Sequence, residues 1–308
     1  MNPILALIIA NLIWGAASPI FKFALTNIPP FTLAFIRFFF AAVLILFFMR
    51  KKWQKISGRD FFLICLAAFF GISINIAFFF LGLQKTVSIN APIIASAGPV
   101  FLYLLSVVIL KERPKIKIFY GMMVALFGVL IIILSPIFVD NKQLMIGEIE
   151  GNLFFVLATI GSVLNTLINK EVLKRVNPYL VTFIGFAFGS VTFIPFMLPE
   201  LSSWSLMSLN INGWVGIIFG VFLSSGLAYF LLNYGISKIK AQEVGLFTYI
   251  DPVVAVIIAI PLLHEYPNLY YLLGSILVFF GIYLAERRIH WHPLHKLGRL
   301  KVGMEARK

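Results

Sequence analysis

Three charged side chains lie inside long apolar stretches of this sequence: Asp251, Arg37 and Lys22. Asp251 stands about nine residues into its stretch, which is roughly 13 Å deep at about 1.5 Å per helical residue. An acid within hydrocarbon costs about 2.5–3.5 kcal/mol on insertion scales and therefore indicates a functional role. We expect Asp251 to bind a substrate ammonium group or to carry a coupling proton. The alternative is a structural ion pair with Arg37 or Lys22.

The two basic residues suit the recognition of an anion. Arg37 lies among Phe and Ala residues, too deep in its stretch for its head group to reach water easily. Its planar guanidinium could bind a substrate carboxylate or form an internal ion pair. Lys22 lies near the end of its stretch, so it could bind a carboxylate or extend to the membrane interface.

Polar and aromatic residues at helical spacing could line a cavity. Ser225, Tyr229 and Asn233 follow one another at intervals of four, which places them on one face of a helix. Besides Asp251 and Arg37, the predicted substrate-binding residues are Trp14, Asn75, Phe79, Tyr103, Asn165, Tyr229, Asn233 and Tyr249. The alternative is that these side chains join packed membrane helices, as Ser, Thr and Asn often do.

Prolines interrupt two of the apolar stretches. Pro92, Pro99 and Pro252 each lack an N–H, so each would leave a backbone carbonyl without its helical partner. Within a membrane such a carbonyl must be satisfied by a neighbour or must line a cavity. We therefore expect helix kinks at the three prolines, either as flexible polar points of a binding path or as packed structural bends.

The stretches that carry these residues belong to a membrane protein. Of the 308 residues, 61% are hydrophobic and 12% are charged, whereas soluble domains average about 25% charged residues. The net charge of +13 does not indicate nucleic-acid binding, because Lys and Arg lie in short loops and in the last residues of the chain. The single cysteine, Cys65, excludes an intramolecular disulfide.

No motif for a cofactor or a metal emerges from the sequence. It lacks the GxxxxGK[ST] sequence of ATP-binding loops and the HExxH, CxxC and GxSxG sequences. His290, His292 and His295 occur in a basic tail that suits an anionic cytoplasmic leaflet better than a metal ion. We therefore predict no cofactor and no metal site.

The chain is expected to cross the membrane ten times. Apolar runs of about 18–22 residues can span about 30 Å of hydrocarbon, and they lie near 3–23, 31–49, 61–81, 88–110, 116–135, 151–169, 180–198, 213–235, 242–263 and 269–286. Lys and Arg concentrate in the loops after the second, fourth, sixth and eighth runs and in the tail. The positive-inside rule then places both termini in the cytoplasm.

The sequence also contains an internal duplication. The stretch Gly82–Ile131 aligns without gaps with the stretch that begins 153 positions later, at Gly235. The alignment pairs Pro99 with Pro252, Glu112 with Glu265, Gly121 with Gly274 and Gly128 with Gly281. Asp251 and Arg37 correspond instead to Gly98 and Gly185, so the shared scaffold needs no charge at either place.

An odd number of spans in each half would invert the second repeat relative to the first. Inverted repeats around a site near the midplane are typical of transporters. The predicted divisions are a first five-helix repeat over 1–135, an extracytoplasmic linker over 136–150, a second repeat over 151–286 and a basic cytoplasmic tail over 287–308.

Both copies resemble the EamA repeat of the drug/metabolite transporter superfamily. The first copy matches it through Pro99, the loop Lys111-Glu112-Arg113, and Gly121 with Gly128. The second copy matches it through Asp251-Pro252, Glu265, Gly274 and Gly281. It departs from the Lys-Glu-Arg loop at His264-Glu265-Tyr266, which gives no basis for a charge role there. The resemblance covers roughly residues 3–286 and implies ten helices around a central cavity and export of small metabolites by alternating access.

Together these features predict a secondary-active exporter in the cell membrane. Its substrate would be a small polar or amphipathic metabolite such as an amino acid, its partners the lipid bilayer and a coupling proton, and its oligomeric state a monomer or a homodimer. A nucleotide-sugar or lipid-linked carrier is the first alternative, and it would need a strongly basic cavity, towards which the sequence offers Arg37 and Lys22. An integral-membrane enzyme would need acids or histidines clustered at one membrane face, and the acids are scattered.

Overall fold

Helices make up nearly all of the described residues in the first half of the chain. The computed structural model describes residues 2–49, 53–101, 105, 116–138, 145–238 and 245–286. The helices with described bounds in this half are α1 (Pro3–Ala24), α2 (Pro30–Met49), α3 (Gly58–Lys85), α4 (Asn90–Ser96) and α5 (Ile116–Leu134). Helix starts follow capping chemistry, since the Ile4 N–H donates to the Asn2 side chain at 2.9 Å and the Asp60 N–H donates to Ser57 Oγ at 3.0 Å.

The second half is built in the same way. Its helices are α6 (Met145–Val172), α7 (Pro178–Glu200), α8 (Ile211–Lys238), α9 (Asp251–Leu263) and α10 (Leu269–Glu286), and the 3₁₀ segment Gly245–Ile250 leads into α9. The Asn177 side chain caps α7 by accepting from the Leu180 N–H at 2.9 Å.

The helices have the length and composition of membrane spans. In the described residues, seven of them (α1, α2, α3, α5, α6, α7 and α8) are long and apolar enough to cross a bilayer, and the segments around α9 and α10 are shorter apolar helices. No strand occurs in the described ranges. The predicted all-α membrane class therefore fits the described chain. The ten spans, the inverted repeats, the location of the termini and the division boundaries stay predictions.

Two of the three prolines lie near the start of an α-helix. Pro92 lies in the first turn of α4, and Pro252 lies in the first turn of α9. Because the first N–H groups of an α-helix have no helical acceptor, a proline in this position is compatible with a helix start as well as with a bend. Within the predicted run 242–263, the described chain is 3₁₀ over Gly245–Ile250 and α-helical from Asp251, and Phe247–Leu263 forms one shorter apolar helix. Before Pro99 the α-helix is interrupted by a turn at Ala97, and the kinks at the three prolines stay predictions.

Helices at matching places in the two halves pack on each other. α2 packs against α7, and α5 packs against α10. α1 contacts α8 and α9, while α6 contacts α3 and α4. α5 and α10 approach closely because Gly128 faces the Gly274 carbonyl, where a β-carbon on Gly128 would lie 2.6 Å from that oxygen.

Polar contacts join the two halves at both ends of the helices. At one end, Arg175 pairs with Asp60 at 2.8 Å, and this hydrogen-bonded carboxylate raises the pKa of Arg175. At the other end, Lys85 pairs with Glu150 at 2.8 Å. Glu200 at the end of α7 accepts the Thr32 N–H at 2.7 Å at the start of α2, where the helix dipole favours a negative charge.

Substitution of Gly128 by Ala tests the close contact of α5 and α10. The added methyl meets backbone of α10, so the helices must separate, and overpacking of this kind costs about 1–3 kcal/mol. Gly147→Ala is the matched control, because nothing lies within 4 Å of a β-carbon at Gly147 in α6. Thermal unfolding of the purified protein in detergent should give a lower Tm for Gly128→Ala and an unchanged or higher Tm for Gly147→Ala. Equal Tm values for the two variants would contradict the packing described.

Candidate functional site

Among the described residues, α3 and α8 each contain a π-helical segment. The segment of α3 covers Phe69–Ile74, and the segment of α8 covers Phe219–Tyr229. A π-helical turn is wider than an α-helical turn and is frequently found at functional sites. Arg37 and the polar cavity described next lie against these segments.

Arg37 is enclosed by the α8 segment and by aromatic rings. The residue is 1% exposed, its Nε donates to Ser225 Oγ at 3.0 Å, and its Nη2 donates to Ser224 Oγ at 3.0 Å. The guanidinium carbon lies 4.4 Å from the ring centre of Phe21 and 4.6 Å from that of Phe38. Nη1 has no partner, and no carboxylate of the described residues lies within ion-pair distance. Arg37 is thus a buried cation held by neutral groups, with one donor unused.

Trp14 and Tyr229 connect the two π-helical segments. Trp14 Nε1 donates to the Ser224 carbonyl at 3.1 Å, and its ring meets the Tyr229 ring edge-on at 5.1 Å between centroids. The Tyr229 hydroxyl donates to the Gly71 carbonyl of the α3 segment at 3.3 Å. The predicted residues Trp14, Arg37 and Tyr229 are therefore neighbours in one interior cluster.

A small polar cavity lies next to this cluster. Its volume is about 20 Å³, and its polar lining consists of Asn165, Asn169, Thr182, Tyr229 and Asn233. Asn233 Nδ2 donates to Thr182 Oγ1 at 2.9 Å, and Asn169 Nδ2 donates to Asn165 Oδ1 at 2.8 Å. Asn169 Oδ1 is buried without a partner. The cavity has room and hydrogen-bonding groups for about one water molecule.

Asp251 is buried beside α1. It is 8% exposed, and its Oδ1 has no hydrogen-bond partner. α1 passes close to it because Gly15 lacks a β-carbon, which would lie 2.8 Å from the Asp251 carbonyl oxygen. Neither Lys22 nor Arg37 forms an ion pair with Asp251, so the structure does not support the alternative that Asp251 is their structural partner.

Lys22 pairs with an acid for which the sequence suggested no role. Its Nζ lies 2.6 Å from Glu265 Oε1 and donates to the Thr86 carbonyl at 2.7 Å. Glu265 Oε2 accepts the Ser88 N–H at 2.7 Å and the Ser88 hydroxyl at 2.6 Å. The duplication held a signal for this contact, because Lys22 and Glu265 both recur, as Lys170 and Glu112.

The other predicted residues lie in packing contacts or outside the described chain. Asn75 Nδ2 donates to the Ala158 carbonyl at 2.7 Å and thereby joins α3 to α6. The Phe79 ring packs edge-on against Phe21 at 6.4 Å, and the Tyr249 ring packs against Phe279 at 6.0 Å. Tyr103 lies outside the described residues. Thr182, Ser224 and Ser88 belong to the polar contacts although their sequence positions gave no signal, since isolated Ser and Thr residues are common in membrane helices.

The two serines that hold Arg37 offer a stability test. The double variant Ser224→Ala, Ser225→Ala removes two hydrogen bonds to a buried charge, and such bonds contribute about 1.5–3 kcal/mol each. The Trp14 contact is retained because it uses the Ser224 backbone. Ser190→Ala is the control, since its hydroxyl is buried but donates to a backbone carbonyl, that of Ala187, at 2.9 Å. Unfolding in detergent should show a much larger loss for the double variant than for twice the control, and similar losses would contradict this account of Arg37.

The architecture is that of a multi-pass membrane protein, and comparison with known proteins identifies its family. The model of the EamA-like transporter family matches residues 1–134 and 149–287. The chain therefore belongs to the EamA-like transporter family, as its repeats predicted. A member of this family in a bacterium lies in the plasma membrane.

Curated relatives cover almost the whole chain. An uncharacterized transporter, YetK of Bacillus subtilis (strain 168), is 26% identical over 288 residues, which are 92% of this chain and 87% of that protein. An uncharacterized transporter of Archaeoglobus fulgidus is 28% identical over 279 residues, which are 89% of this chain and 95% of that protein. These relatives are named as transporters and not as enzymes.

A solved structure shares the fold. A protein chain known from a crystal structure superposes with a TM-score of 0.65 at 16% identity, over 92% of this chain and 95% of that chain. At this identity the match speaks for the helical architecture alone.

Proposed function

We propose that this protein is a secondary-active transporter that exports a small polar or amphipathic metabolite, such as an amino acid, by alternating access. One observation carries the proposal: Arg37 and Asp251 are 1% and 8% exposed and have no ion-pair partner among the described residues. A buried charge without a partner is costly, and inside a membrane protein it marks a pathway for a substrate or an ion.

Arg37 and Asp251 each have one side-chain atom without a hydrogen-bond partner, and these atoms suggest their roles. Arg37 Nη1 is a donor without an acceptor, so it suits a carboxylate oxygen of the substrate. Asp251 Oδ1 is an acceptor without a donor, so it suits a substrate ammonium group or a coupling proton. Trp14 and Tyr229 lie against the serines that hold Arg37 and would form the apolar wall of the binding site.

The helix packing supports two inverted repeats of five spans. A twofold axis in the membrane plane would pair α2 with α7 and α5 with α10, and these helices are in contact. It would also relate the two π-helical segments, which overlap when the sequence is shifted by 153 positions. With Lys and Arg concentrated in alternate loops and the tail, both termini would lie in the cytoplasm.

The small size of the polar cavity supports a transport mechanism that includes a conformational change. A volume of about 20 Å³ is far below the roughly 300 Å³ or more of pockets that hold small molecules. The helices α3, α6, α7 and α8 that line the cavity would therefore have to separate to admit a metabolite. Alternating access supplies this movement, because the two halves rock about the site between them.

The basic residues argue against a nucleotide-sugar or lipid-linked substrate. Such a substrate carries several phosphate charges and needs several cations in the cavity. Among the described residues near the site, Arg37 has an unused donor, whereas the ammonium of Lys22 is bound to Glu265 and Thr86. A substrate with a single negative group fits this arrangement better.

Counterflow in proteoliposomes tests the function directly. Liposomes loaded with a mixed pool of unlabelled amino acids and related metabolites should take up at least one labelled carboxylate-bearing compound. Arg37→Gln should lower its initial uptake rate at least about tenfold, because a charge-assisted hydrogen bond contributes about 1.5–3 kcal/mol.

Asp251→Asn should abolish either the binding of ammonium-bearing compounds or the response of uptake to a pH gradient.

Glu150→Gln is the control for this assay. It removes an ion pair in which both side chains are about half exposed, 37% for Lys85 and 45% for Glu150, so uptake should stay within twofold of the wild type. Full uptake by Arg37→Gln would remove Arg37 from the substrate site. Absence of uptake for every compound of the pool by the wild type would contradict the proposed substrate class.

A further inference from the structure

Glu265 is the centre of a polar contact that closes one end of the helix assembly. Its side chain is 9% exposed, and its carboxylate accepts hydrogen bonds from Lys22 and from the N–H and hydroxyl of Ser88, all at 2.6–2.7 Å. The Lys22 ammonium, with its side chain 28% exposed, also donates to Thr86. We call Lys22, Thr86, Ser88 and Glu265 the end cluster.

The backbone beside Glu265 is in an unfavourable conformation. His264, at the end of α9, has φ 55°, and it is the single non-glycine residue with positive φ in the described ranges. A residue with a β-carbon avoids this left-handed region unless its surroundings enforce it. Such strain is concentrated at ligand clamps and switching segments. Here the left-handed turn ends α9 and precedes the acid that points into the end cluster.

The end cluster joins parts that belong to different halves of the duplicated chain. Lys22 is in the last turn of α1, and Thr86 and Ser88 lie between α3 and α4. Glu265 lies between α9 and α10. Any rocking of one half against the other that opens this end must separate Glu265 from Lys22 and Ser88.

We propose that Glu265 and Lys22 form the gate that closes one face of the transport path, the outward face in the topology proposed above. This inference rests on the proposed function. A partly buried, charge-assisted contact suits a reversible gate, because opening returns both charges to water and so compensates much of the lost interaction. Closing releases the same water, and the strained turn at His264 keeps Glu265 aimed at its partners.

The pair of Lys85 and Glu150 provides a matched comparison at the same end. It also joins the two halves at 2.8 Å, but both side chains are well exposed. Exposed ion pairs contribute little, so this pair should not hold the end closed.

Accessibility of a reporter cysteine tests the gate without requiring a known substrate. Ser18 lies one helical turn before Lys22 on the same face of α1, is 2% exposed, and its hydroxyl has no partner. Ser18→Cys in a Cys65→Ser background places one thiol behind the end cluster. A membrane-impermeant maleimide, applied to intact cells, then measures how often this end is open.

We expect Glu265→Gln to raise the labelling rate of Ser18→Cys at least tenfold, and Glu150→Gln to change it less than twofold. Lys22→Gln should act like Glu265→Gln, whereas Lys22→Arg keeps the positive charge and should label nearly as slowly as the parent. Gel filtration of each labelled variant restricts the comparison to folded protein.

Labelling rates of Glu265→Gln and Lys22→Gln that stay within twofold of the parent would overturn the gate. An equal increase of the labelling rate by Glu150→Gln would also overturn the gate, because the faster labelling would then reflect a general loosening of the helix assembly. The test is separate from the counterflow assay: a failure to transport with accelerated labelling removes the proposed substrate class and keeps the gate. Transport with unchanged labelling keeps the transporter and removes the gate.

Discussion

Within hydrocarbon there is no water to satisfy a polar group, so each buried donor and acceptor needs a partner inside the protein. The contacts of Arg37 show how the fold provides such partners. Two neighbouring serines reach one guanidinium because the π-helical segment of α8 turns through a smaller angle per residue than an α-helix, which brings Ser224 and Ser225 closer to one face. Rings of Phe21 and Phe38 cover the cation. Around this arrangement α1, α2 and α8 are held together, and Trp14 and Tyr229 link them to α3.

The charged residues of the interior are of two kinds: those that recur in both halves of the duplicated chain, and those that occur in one half alone. Lys22 recurs as Lys170, and each donates to a backbone carbonyl near the end of a neighbouring helix, Lys22 to Thr86 at 2.7 Å and Lys170 to Ile236 at 2.6 Å. These repeated cations stabilise the assembly of the helices. Arg37 and Asp251 have no charged counterpart in the other half, and each retains an atom without a partner. Charges that the other half does not repeat and that no opposite charge of the described residues neutralises are the ones that we assign to the substrate and to a coupling proton.

The sequence predicted the class of the fold, whereas its site residues stay predictions. Apolar length, charge bias and the duplication indicated membrane helices and the family. Helical spacing placed Tyr229 and Asn233 on one helix face, and in the structure both line a small cavity together with Asn165. The sequence did not predict the change from 3₁₀ to α-helix at Asp251, because such a change depends on packing that local pattern does not specify. It also missed Glu265 and Ser88, since their contact depends on how the two halves meet, which local pattern does not specify. Asn75 joins α3 to α6 through its bond to Ala158, and its role in a substrate site stays a prediction.

The central claim is that the unused donor of Arg37 is kept for a negative group of the substrate. Ligand-dependent thermal stability of the purified protein measures this most directly, because a ligand that binds the folded state raises Tm with its concentration. Compounds that share a carbon frame but differ in charge should be compared in the wild type and in Arg37→Gln. The account predicts that a carboxylate-bearing compound stabilises the wild type, that its neutral amide does not, and that Arg37→Gln loses the difference. Equal stabilisation by the acid and the amide, or an undiminished effect in Arg37→Gln, would contradict it.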